Sequence, residues 1–87
     1  MNQVGIIGFG RFGKVLASIL QKGFHILAYD PEPQNPHHGV EFTDLDKVLG
    51  VADLFIAVPI RQFENVIQKI ASNLQPQTTL IDVCSVK

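Results

Sequence analysis

Three glycines near the amino terminus have the spacing of a phosphate-binding turn. Gly8, Gly10 and Gly13 form a Gly-x-Gly-x-x-Gly pattern between an apolar run and a helical pattern. In that context the first glycine permits a tight turn, the second lets a pyrophosphate approach the backbone, and the third lets the helix pack against the strand. The amides at the helix N-terminus then face the phosphates. The candidate cofactor contacts of this turn are Gly8, Phe9, Gly10, Arg11, Phe12 and Gly13.

Two alternatives stay open at this turn. The pattern is also compatible with a tight strand-to-helix turn that binds nothing, although the strand before it and the helix after it favour a nucleotide site. Arg11 reaches a phosphate of the cofactor in one interpretation and points into solvent in the other.

An acidic residue follows at the distance expected of a ribose ligand. Asp30 ends the second apolar run, 22 residues after Gly8, close to the roughly 20-residue offset of dinucleotide-binding folds. Its carboxylate would accept hydrogen bonds from the 2′- and 3′-hydroxyls of the adenosine ribose and would repel a 2′-phosphate. Glu32 adds negative charge, so NAD is favoured, with NADP as a possible cofactor. The alternative for Asp30 is a solvated turn acid before Pro31.

The elements that must position these residues alternate along the chain. Apolar, β-branched runs predict strands at 3–8, 24–29, 40–42, 53–58 and 78–83. Helical spacing predicts helices at 11–22, at 43–50 with Thr43 as N-cap, and at 60–74. The proline-rich segment 31–39 predicts a stiff loop instead of a crossover helix. This alternation is typical of an α/β fold: a Rossmann-like, doubly wound parallel sheet of about five strands, order 3-2-1-4-5, in three αβα layers.

The predicted sheet brings separated segments to one crevice. Ligands of such sheets bind at the carboxyl ends of the strands, where the winding reverses between the first and fourth strands. The glycine turn and Asp30 therefore meet Val58-Pro59 and Cys84-Ser85 there. Because Pro59 stops a strand and starts a helix, Val58 and Pro59 are expected to line the pocket at the nicotinamide ribose.

Composition limits the classes of function. Eighty-seven residues predict a single domain, 1–87. A net charge of -1 without a basic cluster argues against nucleic-acid binding, and the apolar runs are too short to span a membrane. Cys84 is the sole cysteine, which predicts a reducing compartment, the cytoplasm. The adjacent His37 and His38 have no third ligand at a recognised spacing, so no metal site is predicted.

With these segments in place, the chain resembles the nucleotide-binding half of prephenate and arogenate dehydrogenases, the enzymes of tyrosine biosynthesis. The residues that carry the resemblance are Gly8-Phe9-Gly10-Arg11-Phe12-Gly13, Val58-Pro59 and Asp82-Val83-Cys84-Ser85-Val86-Lys87. The last segment is the most specific, because many dehydrogenases share the glycine turn and few end the fifth strand in Asp-x-x-Ser-Val-Lys. The resemblance spans the whole chain.

The resemblance implies an NAD(P)-dependent oxidative decarboxylation of a cyclohexadienyl substrate. Hydride passes from a ring carbon that bears a hydroxyl to nicotinamide, and a ring carboxylate leaves as carbon dioxide. Ser85 is implied as a catalytic-site residue that hydrogen-bonds near the nicotinamide and the substrate hydroxyl. The family's histidine in Gly-x-His-Pro, and the helical domain that completes the substrate site and makes the homodimer, have no counterpart in this sequence. We therefore expect a cofactor-binding domain that ends before the helical domain and is inactive alone.

Two other classes of protein share part of this pattern. Nucleotide-sensing modules of potassium channels and transporters also start with a strand, a Gly-x-Gly-Arg-Phe-Gly turn and a later acid. Other β-hydroxyacid-type dehydrogenases and imine reductases share the fold and the cofactor. The Ser85-Val86-Lys87 ending and Val58-Pro59 favour the tyrosine-pathway enzyme. The last strand is predicted to be an uncovered edge, which predicts weak self-association of the chain.

Overall fold

A five-stranded sheet forms the centre of the computed structural model, which describes residues 2–32 and 34–83. The strands are β1 Gln3–Ile7, β2 His25–Tyr29, β3 Val40–Phe42, β4 Asp53–Ile56 and β5 Thr79–Asp82. The helices are α1 Arg11–Leu20, α2 Leu45–Val48 and α3 Ile60–Ile70, and α3 is followed by a 3-10 turn at Ala71–Asn73.

The strand order confirms the predicted fold. The sheet runs β3-β2-β1-β4-β5, and each neighbouring pair is parallel. The chain winds from β1 outward to β3 and then crosses to β4, so the reversal lies between β1 and β4. The carboxyl ends of these two strands meet at one edge, because Ile7 pairs with Ile56. This edge of a parallel sheet is where its ligands bind.

Helices cover the two faces of the sheet unequally. On one face α1 alone packs among the described residues, over a cluster that includes Ile6, Phe9, Ala17 and Ile26. On the other face α2 and α3 pack over a second cluster, which includes Leu27, Val48, Leu54, Ile56 and Ile70. The central strands are apolar on both sides for this reason. The domain therefore has two hydrophobic clusters, one on each face of the sheet.

The buried side of α1 is made of small residues. Gly13 and Ala17 are the buried positions of the helix, and their size lets α1 lie close to the sheet. The larger Phe12, Val15 and Ile19 are 45%, 51% and 63% exposed. The helical spacing of these apolar residues was correctly predicted. The single buried stripe that such spacing usually implies was not found, because one flank of the helix has no neighbour among the described residues.

The short helix α2 begins one residue later than predicted. Its N-cap is Asp44, whose Oδ1 accepts a hydrogen bond from the amide of Lys47 at 2.9 Å. Thr43, the predicted cap, follows β3 and still hydrogen-bonds to β2, because its amide donates to the carbonyl of Ala28 at 2.9 Å. The prediction of Thr43 as the cap is therefore wrong. The hydrogen-bonding ladder with β2 continues past β3 and delays the start of the helix.

The segment between β2 and β3 is irregular, as predicted. Residues 31–32 and 34–39 form neither helix nor strand. Gly39 takes a positive φ of 79°, and a Cβ there would lie 2.7 Å from Oε1 of Gln21, the C-cap of α1. The loop therefore lies close against the C-terminal end of α1. Within the described ranges, no helix has both the length and the apolar character needed to cross a membrane.

Candidate dinucleotide site

A cleft of about 990 Å³ opens at the carboxyl ends of β1, β2 and β4. Its volume is within the range of small-ligand sites in proteins. Seven of the predicted site residues line it: Gly8, Gly10, Arg11, Phe12, Asp30, Val58 and Pro59. The fold therefore brings the glycine turn, the acid after β2 and the end of β4 together. Cys84 and Ser85, the fourth predicted segment, lie outside the described residues.

Gly8 joins the ends of three strands. Its amide donates to the carbonyl of Tyr29 at 2.8 Å, and its φ is +96°, a conformation that side chains rarely adopt. A Cβ at this position would also lie 2.6 Å from the carbonyl oxygen of Ala57. Only glycine fits here, because the backbones of β1, β2 and the segment after β4 converge at this point.

Gly10 has open space where a side chain would be. A Cβ built on Gly10 meets no atom within 4 Å. Gly10 is the N-cap of α1, which has no side-chain cap and no acidic residue in its first turn. The amides of that turn have no partner inside the helix, and the positive end of the helix dipole adds to their field. This end of the cleft fits the pyrophosphate of a dinucleotide.

Two of the predicted cofactor contacts, Phe9 and Gly13, support the glycine turn through packing. Phe9 is 1% exposed, and its ring packs edge-on against Phe42 and His37, with ring centroids 4.9 and 5.4 Å away. Gly13 is buried, and a Cβ there would overlap the carbonyl oxygen of Gly8. The side chain of Phe9 therefore lies in the core, and only its backbone faces the turn. His37 is half-buried and packs on Phe9.

Both oxygens of the Asp30 carboxylate accept hydrogen bonds from backbone amides. Oδ2 accepts from Phe9 at 2.6 Å, and Oδ1 accepts from Glu32 at 2.8 Å. A carboxylate has about four lone-pair sites, so two stay available to ribose hydroxyls. Asp30 is half-buried at the cleft. The carboxylate is thereby held in one orientation beside the glycine turn.

One wall of the cleft was missed by the sequence analysis. It is formed mainly by α3 and completed by residues from β2, the loop after it and α2: Tyr29, Pro31, Leu45, Arg61, Gln62, Val66, Lys69 and Ile70. Val66 and Ile70 pack on the core and also line the cleft. The four-residue steps from Gln62 to Val66 to Ile70 were the available signal, because they share a helix face.

Charged side chains of both signs line the cleft. Asp30 and Glu32 follow β2, whereas Arg11 is the first residue of α1 and Arg61 is the second residue of α3. Among the described residues, neither arginine lies within ion-pair distance of an acidic side chain. The two guanidinium groups are therefore free to meet an anionic ligand. Arg11 lines the cleft, and its contact with a phosphate of the cofactor stays a prediction.

A separate charged cluster lies away from the cleft. Glu41 of β3 accepts from Nζ of Lys47 at 3.0 Å, and its other oxygen lies 3.1 Å from Nε2 of His25. The hydrogen bond from Lys47 lowers the pKa of the Glu41 carboxyl, with a smaller contribution from His25. Within 2–32 and 34–83, no cluster of three potential metal-ligating side chains forms.

Comparison with known proteins identifies the family. A sequence profile of the D-isomer specific 2-hydroxyacid dehydrogenase NAD-binding domain matches residues 1–84. The chain belongs to this family of NAD-binding domains. The predicted dehydrogenase class and its NAD cofactor are thereby confirmed at the level of the family.

Individual relatives are similar over different lengths. A 2-hydroxyacid dehydrogenase homolog of Zymomonas mobilis is 41% identical over 56 residues, which are 59% of this chain and 17% of that protein. The solved D-2-hydroxyisocaproate dehydrogenase superposes with a TM-score of 0.81 at 24% identity, over 97% of this chain and 27% of that one.

A structure of prephenate dehydrogenase from A. aeolicus, in complex with hydroxyphenyl propionate and NAD+, has the same fold. It superposes with a TM-score of 0.76 at 25% identity and covers 100% of this chain and 35% of that one. The NAD-binding domain described here thus spans about a sixth of the curated relative and about a third or less of these two enzymes. Their shared fold supports a dehydrogenase domain without separating the two enzyme types.

Proposed function

We propose that this NAD-binding domain is the cofactor half of a prephenate or arogenate dehydrogenase. The observation that carries the proposal is the segment that begins with Asp82, Asp-Val-Cys-Ser-Val-Lys. Asp82 ends β5 and pairs with Ile56 of β4, at the edge of the sheet where the cleft opens. Similarity to the A. aeolicus prephenate dehydrogenase over the whole chain also supports it.

Each part of the cleft has a role under this proposal. The first turn of α1, with Gly10, Arg11 and Phe12, binds the pyrophosphate. Asp30 binds the adenosine ribose, and Val58 with Pro59 contacts the nicotinamide ribose. Gly8, Phe9 and Gly13 shape the turn that carries these contacts. NAD supplies the hydride acceptor for the oxidative decarboxylation.

Ser85 completes the proposed machinery. Its hydroxyl hydrogen-bonds at the substrate hydroxyl beside the nicotinamide, as the resemblance implies. The cyclohexadienyl substrate, the helical domain and the homodimer belong to the whole enzyme in this proposal. The domain alone binds cofactor and turns nothing over.

A D-2-hydroxyacid dehydrogenase is the second candidate. The family profile and the Zymomonas relative favour it. Both candidates place NAD in the same cleft, so cofactor binding does not separate them. The substrate separates the two candidates. A prephenate or arogenate dehydrogenase oxidises a ring alcohol with loss of carbon dioxide, whereas a D-2-hydroxyacid dehydrogenase oxidises the carbon next to a carboxylate.

Turnover by the longest natural protein that contains this chain tests the proposal. NADH formation should be measured with prephenate, arogenate and a panel of D-2-hydroxyacids. Activity with either cyclohexadienyl substrate is expected, with release of carbon dioxide. Activity confined to 2-hydroxyacids would establish the second candidate instead.

The Ser85→Ala variant tests the proposed catalytic role in the same protein. We expect kcat to fall by about a hundredfold or more, the usual range for a lost transition-state hydrogen bond, with NAD affinity retained. Ser18→Ala is the matched control, since Ser18 lies on the exposed side of α1 and donates only to the carbonyl of Lys14. If Ser85→Ala and Ser18→Ala had equal kcat values, Ser85 would have no catalytic role.

A further inference from the structure

The amide of Phe9 has a partner that is distant in sequence. Phe9 follows Gly8 in the glycine turn, and its amide donates to Oδ2 of Asp30 at 2.6 Å. The preceding amide, of Gly8, continues the sheet ladder to the carbonyl of Tyr29. At Phe9 the turn leaves the ladder, and the carboxylate of Asp30 replaces the carbonyl that β2 no longer provides.

Without Asp30 the amide of Phe9 would lose its hydrogen-bond acceptor. Phe9 is 1% exposed, and a buried amide without an acceptor costs free energy that the turn would avoid by moving. The second oxygen of the carboxylate is held at the same time by the amide of Glu32. Asp30 thus links the glycine turn to the first residues of the loop after β2.

We infer that Asp30 is a positioning residue for the phosphate-binding turn as well as a ribose ligand. Its carboxylate fixes the amide of Phe9 and, through it, the approach of Gly10 and the first turn of α1 to the pyrophosphate. This inference rests on the proposed dinucleotide site. The inference goes beyond ribose binding, because a residue that contacts only the ribose would not affect the binding of a molecule that lacks a ribose.

Binding of inorganic pyrophosphate therefore separates the two roles. The Asp30→Asn variant keeps the size of the side chain, but its amide nitrogen cannot accept a hydrogen bond, so at most one of the two backbone contacts survives. We expect this variant to bind both NAD and pyrophosphate about tenfold more weakly than the wild-type chain, measured by calorimetry at fixed ionic strength.

Glu32→Gln is the matched control for charge. Glu32 lines the same cleft, and the same single negative charge is removed. No hydrogen bond through its carboxylate is seen in the described part of the chain. Loss of this charge should leave pyrophosphate binding as tight as in the wild type or tighter. If Asp30→Asn behaves like Glu32→Gln toward pyrophosphate and weakens NAD alone, Asp30 is a ribose ligand only and the inference is overturned.

Hydrogen exchange tests the positioning role without any ligand. In Asp30→Ala, which leaves the amide of Phe9 without this acceptor, that amide should exchange at least about tenfold faster than in the wild type, while the amides of Ile6 and Leu54 in the core keep their protection and report an intact fold. Unchanged protection of Phe9 would contradict the inference. This readout stays decisive even if neither NAD nor pyrophosphate binds, an outcome that would defeat the proposed dinucleotide site instead.

A measurement on the wild-type chain covers the case of a variant that fails to fold. The amide nitrogen of Phe9 should show a scalar coupling through the hydrogen bond to the carboxyl carbon of Asp30, and the same coupling should persist in Glu32→Gln. Absence of this coupling would show that the hydrogen bond is not formed in solution.

Discussion

The three glycines of the turn are needed for different reasons. Gly8 and Gly13 are required by the packing of the backbone, because a Cβ on either would collide with a carbonyl oxygen. Gly10 has an ordinary φ of -78° and free space around its Cβ position. The fold therefore tolerates a side chain at Gly10, and we predict that the bound dinucleotide does not. Under this prediction, one motif combines residues that serve the fold with a residue that serves the site.

Alanine variants of Gly10 and Gly13 should separate fold from binding. Gly10→Ala should change the free energy of unfolding by less than about 1 kcal/mol, and NAD affinity should fall about tenfold or more, since a methyl group enters the space of the pyrophosphate. Gly13→Ala should lower the free energy of unfolding by about 1–3 kcal/mol because α1 must move from the sheet.

Thermal unfolding and NAD calorimetry of the two variants check these expectations. Gly23→Ala is a suitable control, because its Cβ also meets no atom within 4 Å and it does not line the cleft. A Gly10→Ala variant with wild-type affinity would show that the pyrophosphate does not approach this residue.

At the scale of elements, the start of α2 depends on a single side chain. Asp44 accepts from the amide of Lys47 at 2.9 Å and caps the helix. Asp44→Ala should therefore lower the free energy of unfolding by about 1 kcal/mol, the usual cost of a lost N-cap. Thr43→Ala is the control, and it should lower stability less. Chemical denaturation of both variants measures the difference. If Thr43→Ala lowered the free energy of unfolding more than Asp44→Ala, Thr43 would be the N-cap of α2, as the sequence predicted.

The ion pairs of Glu41 connect three elements and make stability depend on pH. Lys47 of α2 and His25 of β2 hold the pKa of the Glu41 carboxyl of β3 below its ordinary value. A lowered pKa in the folded state stabilises the protein above the ordinary glutamate pKa, and this contribution is lost as the pH falls through the folded-state value. Its size is small, because the side chains are largely exposed.

Glu41→Gln should therefore lower Tm slightly at pH 7, by about 2 °C or less. The Tm values of variant and wild type should converge below the pKa of the Glu41 carboxyl. Differential scanning calorimetry between pH 7 and pH 3 follows the convergence. A difference that grows toward acid would contradict the assigned sign.

At the scale of the whole molecule, the two faces of the sheet are covered unequally. One face has α2 and α3, whereas the other has α1 with an exposed apolar flank of Phe12, Val15 and Ile19. The apolar character of that flank therefore contributes little to the stability of the domain.

Lysine substitutions on α1 test this asymmetry. Ile19→Lys should change the free energy of unfolding by less than about 0.5 kcal/mol, because the site is exposed and lysine suits a helix. Ala17→Lys should cost about 3 kcal/mol or more, since it buries a charge between α1 and the sheet. Denaturant unfolding distinguishes them. A large loss from Ile19→Lys would mean that the flank is packed in solution.

The sequence by itself determined the order of elements and the main part of the site. Buried β-branched runs, a glycine turn and an acid near the expected offset are local signals, and parallel topology follows from their alternation. The sheet order and the meeting of Gly8, Asp30 and Pro59 at one edge were predicted for that reason.

Only the tertiary structure decided contacts between residues that are distant in the chain. The hydrogen bond from Phe9 to Asp30 depends on β1 and β2 ending side by side. The lining of the cleft by Val66 depends on how α3 lies over the sheet, and the exposure of Ile19 depends on the absence of a neighbouring helix in the described residues. Periodicity states which residues share a helix face, whereas packing decides what that face meets.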